Sequence, residues 1–256
     1  VLFNEEALKL HQEQALTVPG VRRGLHDFIE YMYQRPTTMD YIEGFSKLRR
    51  IDKDILIKQR CFMLDPDEFY RIDEIPIEFR NEAYGICKYG RIFLDARFVI
   101  PVFEPAVNSA EALPMGFVGY DKFAKPKYLD SPTYGYKPKQ TTLLGMEELN
   151  NYYRSNKPVF ITEGSMCLFW LRSHGFHALA MLGSYLSPYV LRILNRLENV
   201  VLIPDSDETG LKLYNIYKNI FPIYRTPLHL GKDIDEARLN DESRVISDLK
   251  NYIKNF

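Results

Sequence analysis

A chain of 256 residues is too long for a disulfide-stapled module, and the prior of about 100 to 200 residues per domain gives one large or two modest domains. With 46% hydrophobic and 14% aromatic residues, such a chain buries roughly 70% of its unfolded surface, which excludes wholesale disorder. Lysine plus arginine (33) nearly balances aspartate plus glutamate (34), so nucleic acid, membrane or acidic substrate must be met by a local patch. Cys61, Cys87 and Cys167 stand far apart, with no CxxC and no nearby histidine pair. That spacing argues against a disulfide framework and a zinc ribbon and fits a reducing compartment. No run of about 18 apolar residues and no charged-then-apolar leader occurs, so a soluble protein is expected. A chain beginning at Val1 is read as a processed or trimmed piece of something longer.

The first hundred residues read as short helices. The segment 5-EEALKLHQEQAL-16 ends before 19-PG-20, 25-LHDFIEYMYQR-35 stops at Pro36, and 38-TMDYIEGF-45 restarts from a threonine cap. From Tyr84 to Lys139 the character changes. Strand formers fill 91-RIFLDARFVIPVF-103, 116-GFVGY-120 lies between turn signals, and a segment dense in proline, tyrosine and lysine follows. From Lys157 strands and helices alternate: strands 158–162, 178–182, 200–204 and about 222–226, with helices at about 165–174, 187–197 and 208–219. This alternation predicts right-handed crossovers and a parallel sheet covered on both faces. The expected class is α/β, α+β overall, in three parts: a helical entry region 1–90, a β-rich basic part 91–156, and a parallel-sheet part 157–256.

Ligands of open parallel sheets sit beyond the carboxyl ends of the strands. Here the first strand exits into Glu163-Gly164, the third into 204-PDSDETG-210, and the loop after the fourth holds 231-GKDID-235. Asp205 and Asp207 are two apart, so in extended backbone both carboxylates share a side. Gly164 and Gly210 are expected to permit close approach at the turns. A lone acid at a strand-to-helix turn is ordinarily a cap or solvated, but crowded acid clusters repel unless a cation neutralises them. With no histidine or cysteine in the cluster, the pattern points to a hard divalent ion such as magnesium rather than zinc.

The Glu-Gly after the first strand and the Asp-x-Asp-x-x-Gly after the third resemble the Toprim domain, which is shared by bacterial primases, topoisomerases, recombination mediators and a group of nucleases. Upstream, 97-RFVIPVF-103, 116-GFVGY-120, 126-PKYLDSP-132, Lys139 and 143-LLG-145 follow one another as in the RNA-polymerase domain of bacterial and phage DnaG-type primases. The resemblance runs from about Arg91 to Asp235, with a looser match near 25-LHDFIEYMYQRPTTMDYIEGF-45. It implies a Toprim-like parallel sheet with flanking helices, and a DNA-directed RNA polymerase that lays RNA primers on single-stranded DNA during replication. Glu163 would be a metal ligand or general acid/base, Asp205 and Asp207 the paired metal-binding aspartates, and Asp233 and Asp235 the third acidic group. Two or more Mg2+ or Mn2+ ions would serve nucleotidyl transfer, with no zinc in this chain. The family usually has an aspartate four residues after the glutamate; here that position is Cys167, read as a packed helix residue.

Lys122, Lys125, Lys127, Lys137 and Lys139 interleave with Tyr120, Tyr128, Tyr134 and Tyr136, a composition that can hold phosphates by charge and stack unpaired bases on rings. The resemblance places Arg97, Lys127 and Lys139 on positions contacting template or ribonucleoside triphosphate. Arg22, Arg23, Arg49 and Arg50 are read as solvated pairs, His174 and His177 as capping or partly buried residues, and Trp170 and Phe169 as helix core facing the sheet. The implied partners are single-stranded DNA, nucleotides and a replicative helicase or single-strand-binding protein, without a membrane, in the cytoplasm of a bacterial or phage-infected cell. No GxxxxGK[ST] phosphate loop occurs. Two alternatives stay open: a Toprim metal-dependent nuclease, and a weakly active nucleic-acid-binding module of the replisome.

Overall fold

The computed structural model describes residues 18–69, 71–105, 112–137 and 141–254. The helix expected at 5–16 and Lys139 lie outside them. Two compact units emerge: the first comprises Val1–Arg49, Leu56–Glu104 and Ala112–Tyr136, and the second Arg50–Ile55, Pro105–Glu111 and Lys137–Phe256. The helical start and the middle strands expected from the sequence therefore share one unit.

In the first unit, helix α1 (Val18–Tyr33) buries Val21, Leu25, Phe28, Ile29 and Met32, a stripe of helical period. Pro19 and Gly20 lie in the first turn of this helix, where a missing N–H breaks no bond. Helix α2 (Pro36–Arg49) likewise begins at Pro36 rather than at a Thr38 cap, and the Thr38 hydroxyl donates to the Met32 carbonyl. A short helix, α3 (Lys53–Lys58), follows, of which Leu56–Lys58 belong to this unit. Strands β1 (Phe62–Met63), β2 (Cys87–Lys88), β3 (Arg91–Ile92), β4 (Phe98–Phe103), β5 (Pro114–Tyr120) and β6 (Tyr128–Asp130) form an antiparallel β1-β4-β5-β6 sheet and a separate β2-β3 ribbon. The run 91–103 is thus two strands, interrupted at Ala96, whose φ is +56°. Phe28 knits α1 to the sheet, with ring centroids 5.8 Å from Phe62 and 6.2 Å from Phe117.

In the second unit, helix α4 (Leu149–Tyr153) precedes strand β7 (Val159–Thr162), helix α5 (Ser165–Ser173), strand β8 (His177–Ala180), helix α6 (Pro188–Leu194), strand β9 (Val200–Ile203), helix α7 (Glu208–Tyr217) and helix α8 (Ile234–Ile253). The sheet is parallel in the order β8-β7-β9, with Val159 opposite both His177 and Val200. Val159, Ile161, Leu179, Val200 and Leu202 pack with Leu149, Val190, Leu194 and Leu213, while α5 lies against β7, β8 and α8. Burial on both faces is what a parallel sheet requires. The expected fourth strand shrinks to a single parallel bridge, Ile223 to Leu202, and Leu144 makes a single antiparallel bridge to Ala180. Helix α8 begins within the expected acidic loop 231–235 and continues over a stretch for which no element was expected. No helix among the described residues is long and apolar enough to cross a membrane.

Candidate functional site

After β7 the chain crosses to β8 on one side and returns to β9 on the other, so the carboxyl ends of β7 and β9 form the switch point where open α/β sheets bind ligands. The Asp205 amide donates to Glu163 Oε1 at 2.8 Å, joining these two strand exits. The third loop is tied in by the Ser206 amide, which donates to the Lys232 carbonyl at 2.6 Å. Helix starts supply the rest. Asp207 caps α7 by accepting from the Gly210 amide at 2.9 Å, and Asp233 caps α8 by accepting from the Glu236 amide at 2.7 Å.

Gly210 is needed for this turn, because a Cβ there would collide with the Asp205 backbone carbonyl. Gly164 is different: its φ of −109° and ψ of 142° are open to any residue.

The carboxylates feel one another. Burial, then the charges of Glu163, Asp233 and Asp207, push the Asp205 carboxyl up to about 8, with Lys232 opposing. Glu163 is also raised, first by burial and then by Asp207 and Asp233, against the Asp205 amide bond. Glu163, Asp205, Asp207 and Asp233 thus make one electrostatic cluster. Asp235 differs: its Oδ1 accepts from Arg238 Nε at 3.0 Å and Nη2 at 2.7 Å. The Arg238 side chain is wholly buried, so Asp235 faces a guanidinium rather than an uncompensated field. Cys167 is packed beneath the cluster. Its thiol is held well above the ordinary value by burial and by Asp235, Asp233 and Asp205, while the Asp235 amide reaches its sulfur.

Among the described residues no three His, Cys, Asp or Glu side chains already converge as ion ligands. The donor chemistry nonetheless fits a hard divalent cation. It consists of oxygen only, is mutually repulsive, and leaves one oxygen each on Glu163, Asp207 and Asp233 after the amide bonds are made. Magnesium ordinarily takes one or two carboxylates, with waters and substrate phosphates completing its shell.

In the first unit, the β5–β6 hairpin carries the basic segment. Arg97 donates from Nη1 and Nη2 to the Pro126 carbonyl, each at 3.2 Å, and from Nη1 to the Lys127 carbonyl at 3.3 Å. The Lys127 ammonium lies 5.5 Å from the ring centres of both Tyr120 and Tyr128. Lys122, Lys125 and Lys127 are exposed, and so is Lys137, which belongs to the second unit. Tyr120 and Tyr136 are withdrawn, the first 3% exposed and the second pressed against Gly116.

Several expectations change. Arg49 is buried, with its guanidinium 5.8 Å from the Tyr120 ring, and Arg22 pairs with Glu104 at 2.6 Å; neither is a solvated charge. Trp170 turns toward α8, with its indole donating to Glu242 Oε1 at 2.7 Å and Arg238 against its ring. His174 and His177 agree with expectation: His174 is the carboxyl-terminal cap of α5 and lies against Trp170, and the half-buried His177 stacks on Tyr152 at 4.4 Å. Sequence reasoning missed Arg238, Lys232 and Phe123. The i, i+3 spacing of Asp235 and Arg238 was the available signal for the first, usable only once a helix is known to start at Ile234.

Residues 160–238 match the family model described as Toprim-like. A DNA primase of Helicobacter pylori is 27% identical over 212 residues, covering 80% of this chain and 34% of the relative. A DNA primase of Deinococcus radiodurans is 31% identical over 124 residues, covering 45% of this chain and 22% of the relative. The chain thus spans about a third or less of these relatives. Among solved structures, a DnaG catalytic core superposes with a TM-score of 0.67 at 20% identity over 90% of this chain and 80% of that one. A DnaG primase catalytic domain bound to single-stranded DNA gives 0.68 at 17% over 95% and 80%. The RNA polymerase domain of Mycobacterium tuberculosis DnaG gives 0.68 at 16% over 91% and 83%.

Proposed function

We propose that this chain, which carries a Toprim-like domain and the fold of DnaG primase catalytic cores, copies single-stranded DNA into RNA primers from ribonucleoside triphosphates. The observation that carries the reading is the four-carboxylate cluster at the switch point, tied in by hydrogen bonds from the Asp205, Gly210 and Glu236 amides. Primase relatives and DNA-bound structural neighbours of the same fold support it. Glu163, Asp205, Asp207 and Asp233 would hold Mg2+ or Mn2+, and Asp235 would brace the site through Arg238. When bound, such ions lower the barrier by activating the attacking hydroxyl and stabilising the leaving pyrophosphate. The chain's own part is to concentrate negative charge, keep it half-buried, and fix Asp207 and Asp233 on the first turns of α7 and α8. Arg97 shapes the basic hairpin rather than offering a loose charge, leaving Lys125 and Lys127 to meet phosphates, together with Lys137 and Lys139. A helicase or single-strand-binding protein would supply the replisome context.

The deciding experiment is primer synthesis on mixed single-stranded templates with labelled ribonucleotides and either metal. Synthesis by the parent chain and its loss in both Asp205→Asn and Asp207→Asn are expected. Unimpaired synthesis in both variants would sink the metal assignment, and strand cutting without triphosphates would favour a nuclease.

A further inference from the structure

The connection 121–127 of the β5–β6 hairpin ends in an apolar ring standing in solvent. Phe123 is 88% exposed, although burial of such a ring is favourable. The loop beneath it is fastened. The Asp121 amide donates to the Lys127 carbonyl at 3.0 Å, the Phe123 amide to Asp121 Oδ1 at 2.8 Å, and Arg97 grips the Pro126 and Lys127 carbonyls. An anchored hairpin therefore presents the ring at small ordering cost.

Its neighbours are cations. The Lys122 ammonium is 5.9 Å from the ring centre, and Lys125 and Lys127 are exposed on the same connection. Of the tyrosines of the segment, Tyr120 is buried, Tyr136 is packed on Gly116 and Tyr128 is tilted against Tyr120 at 5.2 Å, while Tyr134 is exposed but lies outside the connection 121–127 and is less open than Phe123. A single ring amid lysines suits a ligand that alternates negative charge with flat apolar faces, which is single-stranded nucleic acid.

We infer that Phe123 stacks on an unpaired base of the template while the flanking lysines hold its phosphates, making it a positioning residue that fixes the strand on this hairpin. The inference rests on the primase reading and adds a specific base contact to it.

The test compares the full chain with Phe123→Ala, Phe123→Leu and Phe123→Trp, measuring affinity for a labelled oligodeoxynucleotide by anisotropy at several salt concentrations. Stacking energies of this kind lead to an expected loss of about fivefold or more in Phe123→Ala and Phe123→Leu, with retention in Phe123→Trp. The salt slope should not change, because no charge is removed. On an oligomer of abasic residues the parent and Phe123→Ala should bind alike. Phe123→Ala binding within twofold of the parent overturns the inference, as does an equal loss on the abasic oligomer. A change of oligomeric state in Phe123→Ala with unchanged DNA affinity overturns it in favour of a protein contact. If the parent synthesises primers while Phe123→Ala binds normally, only this inference falls; if the parent neither binds nor synthesises, the primase reading falls with it.

Discussion

At the scale of single residues, Asp205 combines function and cost in one side chain. Its carboxyl is raised to about 8 from an unfolded value of about 3.9, so between these pH values the native state binds more protons than the unfolded one. Its contribution to stability is full below the unfolded value and lost as pH rises through the folded one. Without divalent ions at pH 8, Asp205→Asn should therefore melt above the parent, by a gain on the order of 1 kcal/mol or about 2–4 °C. The difference should vanish near pH 4, and added Mg2+ should raise the parent's melting temperature but not the variant's; calorimetry across pH checks all of this. Asp207→Asn keeps a good helix cap and should leave the fold unchanged. Gly210→Ala drives a methyl into the Asp205 carbonyl and should cost about 1–3 kcal/mol by urea denaturation. Its primer synthesis should fall too, since displacing the Asp205 backbone strains its amide hydrogen bond to Glu163.

At the scale of elements, the alternation from β7 to α7 was legible because its apolar runs and ten-residue helical stretches have distinct periods. The fourth strand was not, because 222-PIYR-225 offers one residue to the sheet and then departs. Helix α8 was hidden for another reason. Its buried apolar residues are few, Ile234, Ala237, Val245 and Leu249, and the backbone breaks from helical dihedrals at Asp241. The acids at the strand exits could be read directly, but their separate duties could not, since capping by Asp207 and Asp233 and pairing by Asp235 depend on where α7 and α8 begin. Arg238 is the hinge of that difference. Arg238→Ala should cost about 3–5 kcal/mol, as for other broken buried pairs, because Asp235 is left uncompensated. Arg238→Met, tested beside Asp235→Asn, should recover part of the loss in chemical denaturation.

At the scale of the whole molecule, charge is nearly balanced, so affinity for nucleic acid has to be local, and composition alone could not locate it. The resemblance of the PKYLDSP segment points to one candidate, and the structure adds that Lys127 is exposed beside two tyrosine rings while Arg97 is committed to backbone carbonyls. Lys127→Ala should reduce the slope of log affinity against log salt by about 0.7 if the lysine meets the template. If it meets the triphosphate instead, the Michaelis constant for nucleotide should rise at constant slope. No change in either, in filter binding and initial-rate assays, would leave the segment as a solvated loop.

The small parallel sheet has a further consequence at its margins. On the side away from β7, strand β8 meets Leu144, whose amide donates to the Ala180 carbonyl at 2.8 Å and whose carbonyl accepts the Ala180 amide at 3.0 Å, and the Tyr152 hydroxyl and Arg172 guanidinium, which both donate to the Ala178 carbonyl. Strand β9 meets a single bridge at Ile223, made by the Pro222 carbonyl and the Tyr224 amide. Unpaired sheet edges invite strands from other molecules, so these short contacts are expected to act as stoppers against growth into larger assemblies. Leu144→Pro deletes one donor and loosens its partner, and light scattering should show association that rises with protein concentration. A backbone amide remote in sequence from every acid at the strand exits would then help to govern whether the protein stays dispersed.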